Sequence, residues 1–309
     1  ELETQLAYNH NSRESIPLKL YLGPNHYETL SAYNMDLERM IPLGWGIFRW
    51  VNKYAVIPIF NWLDNSITNY GIIILIMTLI IKVALAPFTL KAYKSQAKMK
   101  VLKPEIDKIT EKHKDKDPMK AQQATMALYK KAGVNPLGGC VPMLLQMPIL
   151  FALFRFFPAS IELRQKSFLW ATDLSTYDSV LDLPFEIPFY GDHVSLFTLL
   201  MTISTLLYTR MNSQMSGPQM AQMKWIMYLM PIMFLGFFNN YAAGLSYYYF
   251  LANMVTFGQQ FVMRKYFINE NATLAQIENN KKKPIKKSKF QKRLEDMAKK
   301  QQEAANKRR

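Results

Sequence analysis

Residues 71–90 read GIIILIMTLIIKVALAPFTL, an apolar run broken by a single charge, Lys82. At 1.5 Å per residue about 20 residues cross a hydrocarbon core of roughly 30 Å, so the run predicts a membrane span. Lys82 lies nine residues before Lys91, about 13 Å inside the polar edge of that helix. Its stem, about 6 Å long, does not reach bulk water from there by snorkelling. A central lysine costs about 3 kcal/mol on insertion scales, and each flanking Ile, Leu or Val offsets roughly 0.3 to 0.6. The span therefore inserts, and the ammonium then needs a carboxylate, backbone carbonyls or a water-filled cavity.

Four further apolar segments follow, at 137–157, 194–211, 224–241 and 245–263. None of the five holds Asp or Glu, so no buried ion pair awaits Lys82 and a wet cavity is favoured. Polar stripes agree with this reading. Thr78, Ala86 and Thr89 share the face of Lys82 by 3 and 4 spacing, while Tyr249, Asn253, Thr256 and Gln260 share one face of the last span and Gln146 sits in the second. Each such group is also what an ordinary interhelical hydrogen bond would use. The seven methionines from Met211 to Met233 give a flexible apolar surface or simple bundle packing.

Between the first two spans, 91–133 is charged and helical in pattern, with Met99, Leu102, Ile106 and Ile109 on one face. Asp117-Pro118 pairs an N-cap residue with proline at N1. A helical hairpin in water is expected there, its second arm running from 118 to 131. Residues 36–65 mix Trp45, Trp50 and Trp62 with Arg39, Arg49 and Lys53, the pattern of an amphipathic helix lying in the interface. The acidic stretch 160–193 is expected to be an ordered external loop. The lysine-rich run 281–309 has few aromatics and is expected to be disordered when free.

The 309 residues carry a formal charge of +15. The mean hydropathy of −0.09 averages apolar blocks with basic ones and so misrepresents both. The lysines gather in 91–131 and 281–309, both of which follow apolar spans, so membrane topology explains them before nucleic acid does. Span parity puts the hairpin, the 210–224 connection and the tail on one side, and the positive-inside rule makes that side cytoplasmic. Residues 1–65 and the loop 160–193 then face the periplasm. A lone Cys140 excludes an internal disulfide, the four histidines are scattered, and no HExxH, GxSxG or P-loop occurs. No catalytic, metal-binding or cofactor-binding residue is expected. Glu1 is not a natural start and nothing before residue 40 resembles a signal peptide, so an N-terminal truncation is expected.

The segment 135–148, NPLGGCVPMLLQMP, with Tyr129-Lys130, Ala86-Pro87, Ile161-Glu162-Leu163-Arg164 and Tyr248-Tyr249 before Asn253, resembles the YidC membrane protein insertases. The similarity runs over about 20–267, and Leu20 to Asn25 resembles the end of the periplasmic β-sandwich of Gram-negative members. The resemblance implies an all-α polytopic inner-membrane protein without enzymatic activity. It comprises the end of a periplasmic domain at 1–35, an interfacial helix at 36–65, a five-span core over 66–267 with the hairpin 91–133, and a basic tail at 268–309. It further implies a hydrophilic groove that takes nascent membrane proteins and releases them into lipid, lined by Lys82, Thr78, Gln146, Tyr249 and Asn253. Ribosome, signal recognition particle receptor, Sec translocon and membrane lipids are the implied partners. Most members carry arginine where this chain has Lys82. Arginine keeps its charge under burial whereas lysine can lose it, so the departure requires a wet groove. A channel or transporter for an anionic solute, and a ribosome tether, are the competing readings. No inverted repeat or intramembrane carboxylate supports the transporter.

Overall fold

The structure is a computed structural model that describes residues 21–113, 118–135, 138, 141–213 and 224–282. The chain is mostly helical. The described residues fall into two compact units that divide between Ile41 and Pro42. In the first, α1 (Tyr27–Ala32) is capped by His26, whose ring accepts from the Thr29 amide, and Leu37–Met40 forms a 3-10 turn.

In the second unit a continuous helix is built from α2 (Ile47–Val51), a π turn (Asn52–Val56) and α3 (Ile57–Asp64). It buries Val56, Ile57, Phe60 and Leu63, at helical spacing, and exposes Trp50, Tyr54 and Trp62. Asn52, fully buried, donates to the Leu43 carbonyl at 2.9 Å and to the Ala152 carbonyl at 2.8 Å. The amphipathic helix expected over 36–65 is thus corrected to 47–64. Pro42 interrupts the chain, and Gly44 and Gly46 take φ of 90° and 54°, so no helix can run through that stretch.

The 71–90 run lies within α4 (Tyr70–His113), a single helix of 44 residues that passes through Pro87 and Pro104. No break separates the apolar half from the first arm of the hairpin. Among the described residues α4 is the helix long and apolar enough by itself to cross a membrane. The other predicted spans coincide with α6 (Val141–Ala159), α7 (Leu196–Ser213), α8 (Lys224–Asn239) and α9 (Ala243–Val262). Of these, Leu144–Ala159 and Trp225–Asn239 are apolar but shorter. Hydropathy in α7 and α9 is diluted by Thr, Ser, Asn and Gln that the two helices turn toward each other, as Asn253 does to Ser204 and Thr205.

The stretch 160–193 is not wholly loop. It forms an antiparallel hairpin of β1 (Leu181–Ile187) and β2 (Gly191–Val194), pairing Leu181 with Val194 and Ile187 with Gly191, a small strand pair in a mostly helical chain that agrees with the all-α class. The preceding loop serves the helix starts. The amides of Ala243 and Gly244 donate to the carbonyls of Thr176 and Leu174 at 2.6 and 2.9 Å. Gly244 allows this approach, since a Cβ there would stand 2.8 Å from the Phe157 ring and 3.0 Å from the Leu174 oxygen.

Beyond the apolar half of α4, its distal turns pack with α5 (Pro118–Ala132) and α10 (Glu270–Lys282). Leu102, Ile106, Tyr129, Ala132, Val134 and Ile277 form their shared core. Burial raises the pKa of the Tyr129 hydroxyl. Lys281 pairs with Glu105, and Asn280 donates to the Ala132 carbonyl. The expected two-helix hairpin is therefore a three-helix unit, and the tail expected from 268 begins with a packed helix. A buried Ile truncated to Ala typically costs about 2–5 kcal/mol. Ile277→Ala should release α10 and make limited proteolysis cut near 270–282 while the rest of the chain resists. Asp117, Cys140, the connection 214–223 with Met215, Met220 and Met223, and the run 283–309 lie outside the described residues.

Candidate functional site

Lys82 sits on α4 five residues before Pro87, where a proline ring removes one helical hydrogen bond and loosens the turn. The Lys82 carbonyl in that turn accepts from Gln259 Nε2 at 3.1 Å, which ties α9 to α4. Its side chain reaches across to two helices. Nζ donates to Gln146 Oε1 on α6 at 3.3 Å and to Thr256 Oγ1 on α9 at 3.1 Å.

Both acceptors are held in place by other bonds. The Thr256 hydroxyl gives its proton to the Ala252 carbonyl at 2.6 Å, so its lone pairs are left for the lysine. Gln146 donates Nε2 to the Tyr248 hydroxyl at 3.1 Å, which fixes the amide with its oxygen toward Nζ. Tyr248 is fully buried. The result is a chain Tyr248, Gln146, Lys82, Thr256 in which every partner of the ammonium is neutral. Among the described residues Lys82 makes no ion pair. An ammonium has three donors, and two are used, so one remains for water or an incoming acceptor. Dipoles that satisfy a cation without cancelling its charge leave a positive potential at the cluster.

The remaining expected site residues stand in adjoining layers. Thr78 lies one turn earlier on α4, fully buried, and donates to the Ile74 carbonyl at 2.7 Å. Asn253 faces α7, bridging Ser204 at 2.9 Å and Thr205 at 3.0 Å. The Tyr249 hydroxyl is buried and finds no partner among the described residues. Lys82 and Gln146 are thus brought into contact, whereas Thr78, Asn253 and Tyr249 form no hydrogen bond with the ammonium. Tyr248 and Gln259 were missed, and Thr256 was read only as part of a stripe. The signal for it is the row Tyr248, Ala252, Thr256 at i, i+4, i+8, which puts a phenol and a hydroxyl on one face around a small residue.

Residues 62–271 match the family model described as 60Kd inner membrane protein. The chain is 50% identical over 98% of its length to the membrane protein insertase YidC of Parabacteroides distasonis, covering 50% of that protein. It is 47% identical over 99% of its length to the insertase of Bacteroides fragilis, covering 52% of it. With that of Amoebophilus asiaticus the identity is 48% over 91% of the chain and 47% of the relative. The chain spans about half the length of the curated relatives it matches.

Proposed function

We propose, from the premise that this chain belongs to the YidC family of 60Kd inner membrane proteins, that it is a membrane protein insertase of the bacterial inner membrane. In this reading α4, α6, α7, α8 and α9 form a five-span core. Lys82, Gln146 and Thr256 stand at the polar centre of a groove that Thr78, Tyr249 and Asn253 extend. The three-helix unit and the basic tail face the cytoplasm, and the 160–193 segment faces the periplasm. Nascent membrane proteins are the substrates. The ribosome, the signal recognition particle receptor and the Sec translocon are proposed partners of the cytoplasmic parts and the core.

The observation that carries the reading is a lysine far inside an apolar helix, held among the described residues by neutral acceptors alone. Such a cation has a free donor and an uncancelled field. It attracts acidic residues of a segment entering the membrane, and water around it lowers the cost of moving that segment's polar parts part-way across. No chemical step and no nucleotide is needed, because burial of the substrate's apolar span in lipid supplies the driving force. The test is photocrosslinking from Thr78, Gln146 and Tyr249 to a ribosome-stalled nascent membrane protein. Adducts at these positions, and none from a lipid-facing control at Val83, are expected. Equal adducts at all four would contradict a groove.

A further inference from the structure

The cytoplasmic end of α4 borders a second site that the groove does not use. A cavity of about 850 Å³ opens between α4 and α10, lined by Lys94, Lys98, Phe267, Asn269, Thr273 and Gln276 among others. Lys94 and Lys98 are one helical turn apart and face it together, and among the described residues neither forms an ion pair. Arg264 and Lys100 line an adjoining cavity of about 190 Å³, which shares Ala97 and Ile268 with the first. Gln260, nearly fully buried, lines that smaller cavity, and among the described residues its Oε1 has no donor. Among the described residues no Asp or Glu lines either cavity.

Depth identifies the occupant. If the apolar run ends at residue 90, Lys94 lies about 6 Å and Lys98 about 12 Å beyond it along the helix. The headgroup layer on each face of a bilayer is roughly 5–7 Å thick, so Lys94 stands within it and Lys98 reaches back to it. Phe261, Tyr266 and Phe267, exposed, mark the same level, with Lys265 5.9 and 5.4 Å over the first two rings. Aromatic rings collect at that depth. Basic pockets between helices on the cytoplasmic side are suited to phosphate-bearing lipid headgroups.

We infer that the α4/α10 cavity is a binding site for an anionic glycerophospholipid, its phosphate on Lys94 and Lys98 and its headgroup hydroxyls directed to the adjoining cavity, where Gln260 lacks a donor. The site couples the packing of α10 on the three-helix unit to the charge of the inner leaflet. It rests on the proposed crossing of 71–90, and it is independent of what the groove carries.

Native mass spectrometry of the full chain, titrated with phosphatidylglycerol or phosphatidylcholine, tests the inference. Retention of phosphatidylglycerol over phosphatidylcholine is expected. At the energy typical of a lysine near an anionic surface, Lys94→Gln with Lys98→Gln should weaken it about thirtyfold. Lys94→Arg with Lys98→Arg should retain it, and so should Lys130→Gln on α5, which lines neither cavity. Unchanged retention in the double Gln variant overturns the site while leaving any insertion defect of Lys82 variants intact. Complete displacement by millimolar inorganic phosphate would assign the cavity to a free anion, and lysine-dependent binding of a short RNA without lipid retention would assign it to nucleic acid. Either result overturns the lipid.

Discussion

Replacing Lys82 by Ala or Glu should leave a protein that accumulates normally but no longer supports growth of insertase-depleted cells, while Lys82→Arg supports it. The fold should tolerate the loss because among the described residues Lys82 forms no ion pair. Gln146 and Thr256 keep their bonds to Tyr248 and Ala252, and water can replace the ammonium at their free lone pairs. Function is expected not to tolerate it. Hydrogen bonds to a charged group are worth about 1.5–3 kcal/mol, so an insertion step that depends on one such contact should slow by about 10- to 150-fold. Glu is worse than Ala, since a carboxylate would face the oxygens of Gln146 and Thr256 and repel acidic substrate residues. Arg keeps the charge with five donors. Complementation scored beside protein levels on immunoblots checks this. Full rescue by Ala at normal abundance would show that the charge is dispensable.

The largest stability effect is expected far from Lys82, at Asp178. This carboxylate is 2% exposed. It accepts from Trp170 Nε1 at 2.8 Å, from the Ser195 hydroxyl, and from the amides of Leu196 and Phe197 at 2.9 and 3.1 Å. The two amides open α7, whose positive dipole end stabilises an anion. Ser195 also accepts from the Thr198 amide at 3.1 Å, the bond of an N-cap. Beside it Asn239 accepts from the Ser195 amide and donates to the carbonyls of Tyr190 and His193, pinning the turn after α8. Asp178→Ala would leave three donors unpaired at once, the Trp170 indole and the two amides, while the Ser195 hydroxyl turns to Thr198 Oγ1 at 2.8 Å. At about 1–3 kcal/mol for a stranded buried group, with mutual relaxation, the loss should be about 3–5 kcal/mol. Thermal unfolding of the detergent-purified protein should fall clearly, with Asp178→Asn intermediate because it keeps one acceptor oxygen. A midpoint unchanged in Asp178→Ala would mean that water already satisfies those donors.

The long apolar blocks were readable because nothing else places so many Ile and Leu residues between basic stretches, and the positions of α4, α6, α7, α8 and α9 follow from them. The neighbours of Lys82 were only partly readable. Gln146 stood out as a lone amide in an apolar helix. On α9 the stripe Tyr249, Asn253, Thr256, Gln260 and the row Tyr248, Ala252, Thr256 are one residue apart, and at 100° per residue a sequence cannot say which faces α4. Packing decides it, turning Asn253 to the hydroxyls of α7 and Thr256 to the lysine. Helix α10 hid for a different reason. Its polar composition resembles a solvated tail, and a single fully buried side chain, Ile277, anchors it to a core contributed by α4 and α5. The β-hairpin lacked an alternating signal because most of β1 is exposed on both faces. The break between 41 and 47 could have been read from Pro42, Gly44 and Gly46, but the continuing aromatic content suggested one helix.

Water is expected to reach the lysine inside the proposed span. Thiol labelling measures this directly in native membrane vesicles, with Cys140→Ser as the background and single cysteines introduced by Lys82→Cys and Ile81→Cys. A charged, membrane-impermeant maleimide should modify position 82 from the cytoplasmic face and spare position 81, which is buried against the bundle. A stalled nascent chain should block the labelling. Equal protection of both positions, or labelling at 82 that a nascent chain leaves unchanged, would contradict a water-filled groove around Lys82.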